Sequence, residues 1–143
     1  MQFFINIDEE LLMLAKITIA DYMTKNIMTV KKDTDALSAI KQLLSHKVTC
    51  APVLDEAGKL VGMFSEKDCM NVVLGATYNQ GMSGKVDEFM STEILSVDAD
   101  SSIVDLADKF KDTSLRSYPV FDDKRLVGIV SRTDVLRALV SIK

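Results

Sequence analysis

Residues 60–68 read LVGMFSEKD and residues 126–134 read LVGIVSRTD. Both open on Leu-Val-Gly, place a serine three residues after the glycine and an aspartate three residues after the serine. They are one unit met twice. In this stretch the copies are 66 residues apart, so Leu60-Val61-Gly62 falls on Leu126-Val127-Gly128, Ser65 on Ser131 and Asp68 on Asp134. Upstream the spacing is 67, with Pro52-Val53 on Pro119-Val120 and Asp55 on Asp122. It holds back to DYMTKNIMTVKKDTD from Asp21 against EFMSTEILSVDADSS from Glu88, pairing Met23 with Met90, Ile27 with Ile94, Val30 with Val97 and Asp33 with Asp100. The slip lies between Asp55 and Leu60, where DEAGK (55–59) faces the shorter DDKR (122–125), and because loops absorb a length change better than strands or helices, it marks a turn.

Each copy carries the same succession of local signals. A short β-prone stretch (Met28 to Val30, Leu95 to Val97) precedes polar residues suited to capping a helix. Helical periodicity follows, with Leu37, Ile40, Leu43 and Leu44 on one face, answered by Val104, Ala107 and Phe110. Pro52 to Leu54 then runs into Leu60 to Phe64, and Pro119 to Phe121 into Leu126 to Val130, each a hairpin signature. A last helix carries Cys69, Met70, Val73 and Leu74, matched by Val135, Leu136, Leu139 and Val140. The order is β-α-β-β-α twice, a mixed α/β (α+β) fold. A unit of about 60 residues buries only ~60 % of its unfolded surface and is marginal alone. The copies are therefore expected to pack as a pseudo-two-fold pair with a cleft on each side. This divides the chain into an extension (1–18), a first repeat (19–77), a linker (78–85, rich in Gly and Ser) and a second repeat (86–143). In the extension, Asp8 is placed to cap a short helix through Lys16 that docks on the pair or on a second chain.

Composition narrows the function classes. Of 143 residues 48 % are hydrophobic and 27 % charged, a globular balance, and the net charge of −4 disfavours general nucleic-acid binding. No apolar run approaches the ~20 residues that span a bilayer. Asp8, Glu9 and Glu10 stand where a secretory signal carries positive charge, so a cytoplasmic protein is expected. Cys50 and Cys69, with one histidine, make neither a disulfide scaffold nor a zinc set, and read as small buried side chains.

The chemistry gathers where GMFSEKD and GIVSRTD turn from strand to helix. Ser65 with Asp68, and Ser131 with Asp134, have capping-box spacing, and helix stability alone can account for them. The same geometry suits a ligand: a helix N-terminus offers N–H groups and positive dipole charge to a phosphate, and a carboxylate can accept both hydroxyls of a ribose. Spacing leaves both readings open.

At these residues the chain resembles a tandem pair of CBS (cystathionine-β-synthase-type) domains, a Bateman module. The resemblance spans Ala20 to about Val140 and rests on the doubled PV-turn-LVG-x-x-S-x-x-D pattern, the Met-Thr/Ser segment before it and the β-α-β-β-α order. It implies a regulatory module with no obligatory cofactor, binding an adenosine-containing ligand (AMP, ADP, ATP or S-adenosylmethionine) in clefts between the repeats. Carried onto this chain, it makes Asp68 and Asp134 ribose ligands with Ser65 and Ser131 beside them. Ile27 and Ile94, opening the first strands, line the adenine pockets, and Cys50-Ala51-Pro52 and Ser117-Tyr118-Pro119 form the opposite walls. Tyr118 is placed either to stack on the base or to pack in the core.

The copies differ in charge. Arg116, Arg125, Arg132 and Arg137 all belong to the second, where Arg116 answers Thr49 and Arg132 answers Glu66. A guanidinium meets phosphate with two bonds, whereas a glutamate at a helix start repels it. The expectation is a nucleotide site edged by Arg132 and Asp134, and a weaker or empty one, or one for a less charged nucleoside, edged by Glu66, Lys67 and Asp68. The alternative for Arg132 is a solvated surface side chain. His46 reads as a helix-end residue, and Asp98, Asp100, Asp105 and Asp108 as a solvated face rather than a metal site. Phosphate-loop, zinc-protease and nucleophile-elbow motifs are absent from the sequence, so no enzyme is read. A ligand sensor that signals to an effector protein or through its own homodimer, by helix faces bearing Met70 and Val73, is the leading function. A ligand-free assembly module, docking through Phe3, Phe4 and Ile5, is the alternative.

Overall fold

Residues 7–78 and 84–141 are described by a computed structural model. In chain order they form helices α1 (Ile7–Ala15) and α2 (Ile19–Tyr22), then β1 (Val30–Lys31), α3 (Ala36–His46), β2 (Cys50–Leu54), β3 (Leu60–Ser65) and α4 (Glu66–Tyr78). A single 3-10 turn (Val86–Glu88) leads to β4 (Val97–Asp98), α5 (Ile103–Lys111), β5 (Ser117–Asp122), β6 (Arg125–Ser131) and α6 (Arg132–Val140). The doubled β-α-β-β-α order is as read from the sequence. The first strands begin at Val30 and Val97, so Ile27 and Ile94 precede them instead of opening them. Helix α1 begins at Ile7, which puts Asp8 within the first turn and not at its cap. The docking segment Phe3 to Ile5 and most of the 78–85 linker fall outside the described residues.

The two sheets are built alike. β1 runs parallel to β2, and β2 antiparallel to β3; β4, β5 and β6 repeat this. Each hairpin has a register shift at the same place, between Val53 and Leu54 and between Val120 and Phe121. The one-residue slip between the copies sits in the hairpin turns. In the longer turn, Asp55 Oδ1 accepts the N–H of Ala57 and of Lys59, both at 2.9 Å, and Gly58 takes φ +83°. The shorter turn places Asp123 at φ +60°, a value that aspartate tolerates better than most residues. Caps start the long helices: Asp35 Oδ2 accepts from Ser38 N–H at 3.0 Å, and Ser102 Oγ from Val104 N–H at 3.1 Å.

The chain divides into two compact units that do not coincide with the repeats: residues 27–94 form one, and residues 1–26 with 95–143 the other. Each unit buries its own core. One gathers Val30, Ala39, Leu43, Val53, Phe64 and Val72 and is completed by Val86; the other gathers Val97, Leu106, Phe110, Val120 and Val135 and is completed by Ile19. Ile19 and Val86 are equivalent positions of the duplication, so each copy's leading segment closes the other copy's core.

Backbone bonds fix the exchange. Ile19 N–H donates to Ser101 O and Ala20 N–H to Ala99 O, while Val86 N–H donates to Thr34 O and Asp87 N–H to Lys32 O. Further along, Thr24 and Ile129 exchange both backbone bonds, as do Ser91 and Met63. The glycines of the two Leu-Val-Gly triplets admit this crossing. A Cβ on Gly128 would stand 2.7 Å from the Thr24 carbonyl oxygen, and one on Gly62 would stand 2.8 Å from that of Ser91. Glycine is required there for close backbone approach. Helix α1 lies against α5, and the Tyr22 hydroxyl bonds Ser141 Oγ at 2.7 Å, which ties α2 to the end of α6.

Candidate functional site

Both strand-to-helix corners form as capped helix starts. At the first, Ser65 donates twice to Asp68 Oδ2, from its N–H at 2.8 Å and its hydroxyl at 3.0 Å, and Asp68 N–H returns to Ser65 Oγ at 3.4 Å. At the second, Ser131 N–H donates to Asp134 Oδ2 at 2.9 Å and Asp134 N–H to Ser131 Oγ at 3.2 Å. The capping reading is thus realised in both copies. It engages one carboxylate oxygen, so the ligand reading is narrowed to the other.

Sheet register decides what stands beside each corner. Cys50 pairs with Ser65, and Ser117 with Ser131, so the residues before each Pro-Val flank the serine across the hairpin. Glu66 N–H donates to Thr49 O at 3.0 Å and Arg132 N–H to Arg116 O at 3.1 Å. Ser65, Asp68 and Cys50 are therefore assembled in one unit, and Ser131, Arg132, Asp134, Arg116 and Ser117 in the other. Ile27 and Ile94 both belong to the unit that carries Asp68, and the unit carrying Asp134 includes neither.

Four of the six wall residues lie in the interior, and Cys50 and Ser117 are half-buried. Ala51 and Pro52 are fully buried, and Tyr118 and Pro119 are buried. Tyr118 takes its packing alternative: its ring lies 4.9 Å from that of Phe110, tilted by 52°, and its hydroxyl meets Thr113 Oγ1 at 3.3 Å.

The two corners differ in charge, and the second carries contacts that the sequence did not reveal. Arg132 is exposed, yet its side chain is held: Nε donates to Leu115 O at 2.9 Å and Nη2 to Thr113 O at 3.3 Å. Two of its five N–H bonds orient the fork over the loop before β5. The residue missed from sequence is Arg137, whose Nη1 donates to Asp134 Oδ1 at 3.2 Å. The signal was there, since a carboxylate and an arginine three residues apart on a helix face each other. Asn71 stands at the matching place in the first copy.

Other titratable groups offer little chemistry. Burial, with the charges of Asp68 and Glu66, pushes the Cys69 thiol from an ordinary 9.0 up to about 11, so it stays protonated and unreactive at neutral pH. His46 Nδ1 lies 2.8 Å from Gln42 O at the end of α3. Asp98, Asp100, Asp105 and Asp108 are exposed, and among the described residues no group of three or more His, Cys, Asp or Glu is placed to hold a metal ion. No helix among the described residues is long and apolar enough to cross a membrane.

Comparison with known proteins shows the family and the fold. The chain is 32 % identical to CBSX2, solved in complex with AMP, with a TM-score of 0.76 over 87 % of this chain and 97 % of that one. The CBS domain pair of protein MJ0100, solved in complex with 5-methylthioadenosine and S-adenosyl-L-methionine, is 26 % identical, with a TM-score of 0.75 over 89 % of this chain and 98 % of that one. Among curated relatives, the CBS domain-containing protein YhcV of Bacillus subtilis is 31 % identical over 120 residues, covering 82 % of each chain. Other relatives are much longer: the chain spans 42 % of the uncharacterized protein MJ1225 of Methanocaldococcus jannaschii and 13 % of the A-adding tRNA nucleotidyltransferase of Geobacter sulfurreducens. The model of the CBS domain family matches residues 19–75 and again 86–141, and with both serine-to-aspartate corners in place the chain belongs to that family as a tandem pair.

Proposed function

We propose that the chain is a non-catalytic regulatory module of the cytoplasm that binds an adenosine-containing ligand at its serine-to-aspartate corners and passes the occupancy to an effector protein. The observation that carries this reading is the doubled corner. Each aspartate is fixed by its serine through one carboxylate oxygen, at the N-terminus of a helix at least two turns long. That is the chemistry a ribose and its phosphate require. The oriented, exposed Arg132 favours a phosphorylated ligand (AMP, ADP or ATP) at the second corner, while Glu66 favours an uncharged or cationic one, such as a nucleoside or S-adenosylmethionine, at the first. AMP, 5-methylthioadenosine and S-adenosyl-L-methionine in the solved relatives are of this class.

Thermal unfolding with AMP, ATP, adenosine and S-adenosylmethionine tests the proposal. A ligand at 100 times its dissociation constant adds about 2.7 kcal/mol to stability. Asp134→Ala should abolish the AMP response and leave that of an uncharged nucleoside at the first corner. No response to any of the four at millimolar concentration would sink the reading.

A second reading, assembly as a homodimer, is favoured by one observation. Helices α3 and α4 border a groove of about 440 Å³ lined by Ile40, Leu44, Val48, Met70, Val73 and Leu74, and Met70 and Leu74 are each more than half exposed. Sedimentation of the wild type and of Met70→Glu separates the readings: a dimer that dissociates in the variant supports assembly, and a monomer in both removes it.

A further inference from the structure

Among the described residues one buried carboxylate holds an ion pair, and it is the ribose candidate of the second corner. Asp134 has 6 % of its side chain exposed and Arg137, one turn on, has 59 %. Oδ2 of Asp134 is engaged by Ser131 N–H and Oδ1 by Arg137 Nη1. A ribose presents two adjacent hydroxyls, which bind a carboxylate best through both oxygens. At this corner neither oxygen is without a protein donor. At the first corner both Ser65 bonds fall on Oδ2, and the residue one turn on is Asn71, which carries no charge.

We propose that Arg137 is a latch on the second corner: it competes with the ligand's hydroxyls for Asp134 Oδ1 and must swing into solvent before they bind. The geometry suits a latch that opens. Its N···O distance of 3.2 Å is long for a charge-assisted bond, which is commonly about 2.7–2.9 Å. Its arginine is largely in water, where ion pairs contribute about 0.2–1 kcal/mol and weaken as salt screens them. Affinity at this corner is thereby set by a residue that touches no ligand, and it responds to ionic strength in the direction opposite to phosphate attraction.

The inference rests on the adenosine reading above, and the test separates the two. The full chain is titrated with adenosine, which has no phosphate for salt to act on. Amide signals of Asp134 and Asp68 are followed separately by NMR, for wild type, Arg137→Gln and Arg137→Lys. At the Asp134 signal, Arg137→Gln should bind about fivefold more tightly than wild type, the factor that about 1 kcal/mol of released ion pair corresponds to. Wild-type binding there should tighten as salt is raised to about 0.5 M, that of Arg137→Gln should stay flat, and Arg137→Lys should return toward wild type. The Asp68 signal should be indifferent to all of these. Equal or weaker binding by Arg137→Gln overturns the latch and makes Arg137 a positioning residue that holds the carboxylate for the ligand. Absence of adenosine, AMP and S-adenosylmethionine binding in every form overturns the adenosine reading itself, and the latch with it.

Discussion

At the first corner Asp68 is half-buried and takes both Ser65 bonds on one oxygen, whereas at the second Asp134 is buried and divides its oxygens between Ser131 and Arg137. The backbones that present them are repeats of one design, with the same register shift, the same pairing of the serine with the residue two before the proline, and the same serine cap. Identical scaffolding with different charges one position and one turn away shows how a duplicated fold diversifies. The helix start is preserved because its N–H groups must be satisfied in either copy. The exposed side chains beside it are free to differ, so Glu66 and Asn71 occupy the positions that Arg132 and Arg137 take in the second copy.

The comparison between the two halves can be broken first at its base. If each core is closed by the other copy's leading segment, Ile19→Ala should destabilise by about 4 kcal/mol, the usual range for emptying a buried isoleucine site. Hydrogen exchange should rise in α5 and α6 and leave α3 protected, and Val86→Ala should do the reverse with a smaller loss. Protection falling in α3 for Ile19→Ala would refute the exchanged segments.

The corners themselves separate next. Asp134→Ala strips a cap and leaves a half-buried serine N–H and an arginine without their acceptor, for a loss of about 2.5 kcal/mol. Asp68→Ala removes a half-buried cap alone, for about 1 kcal/mol. Denaturant titration of both variants reads the difference, and equal losses would mean that Arg137 adds nothing to the second corner's stability.

The smallest effect concerns Cys69, whose counterpart Val135 does not ionise. Its thiol is raised from 9.0 to about 11 by burial and by the carboxylates of Asp68 and Glu66. The folded state therefore holds this proton more tightly than the unfolded one. The resulting stability is fully present below pH 9 and is lost as pH rises toward 11. Replacing Cys69 with alanine should flatten part of the alkaline decline in denaturation midpoint, and an unchanged decline would show that the thiol is not perturbed. Alkylation of native Cys69 at pH 8 should be far slower than in the unfolded chain.

Much of the site was legible before any coordinates. Ser65 with Asp68 and Ser131 with Asp134 declare themselves because a helix cap needs a particular side chain at a particular spacing. The hairpin turn announced itself as the place where the copies differ in length. Besides the bond from Arg137 to Asp134, three things were hidden. Tyr118 was ambiguous because an aromatic residue beside a proline serves a core and a ligand equally well in sequence. Arg132 read as a fork open to phosphate, whereas the loop at Thr113 to Leu115 holds two of its donors. The strands also start later than their β-prone residues suggested, because β1 and β4 pair for two residues only, where β2 and β5 supply partners.

Residue order by itself determined the duplication, the succession of elements and the caps, since these are local: each depends on side chains within a turn or a hairpin of one another. What folding in three dimensions decided was ownership. Ile19 and Val86 are apolar positions that any core accepts, and nothing nearby in the chain says which one. Only the close approach permitted by Gly62 and Gly128, with the backbone bonds it allows, assigns each leading segment to the other copy's sheet.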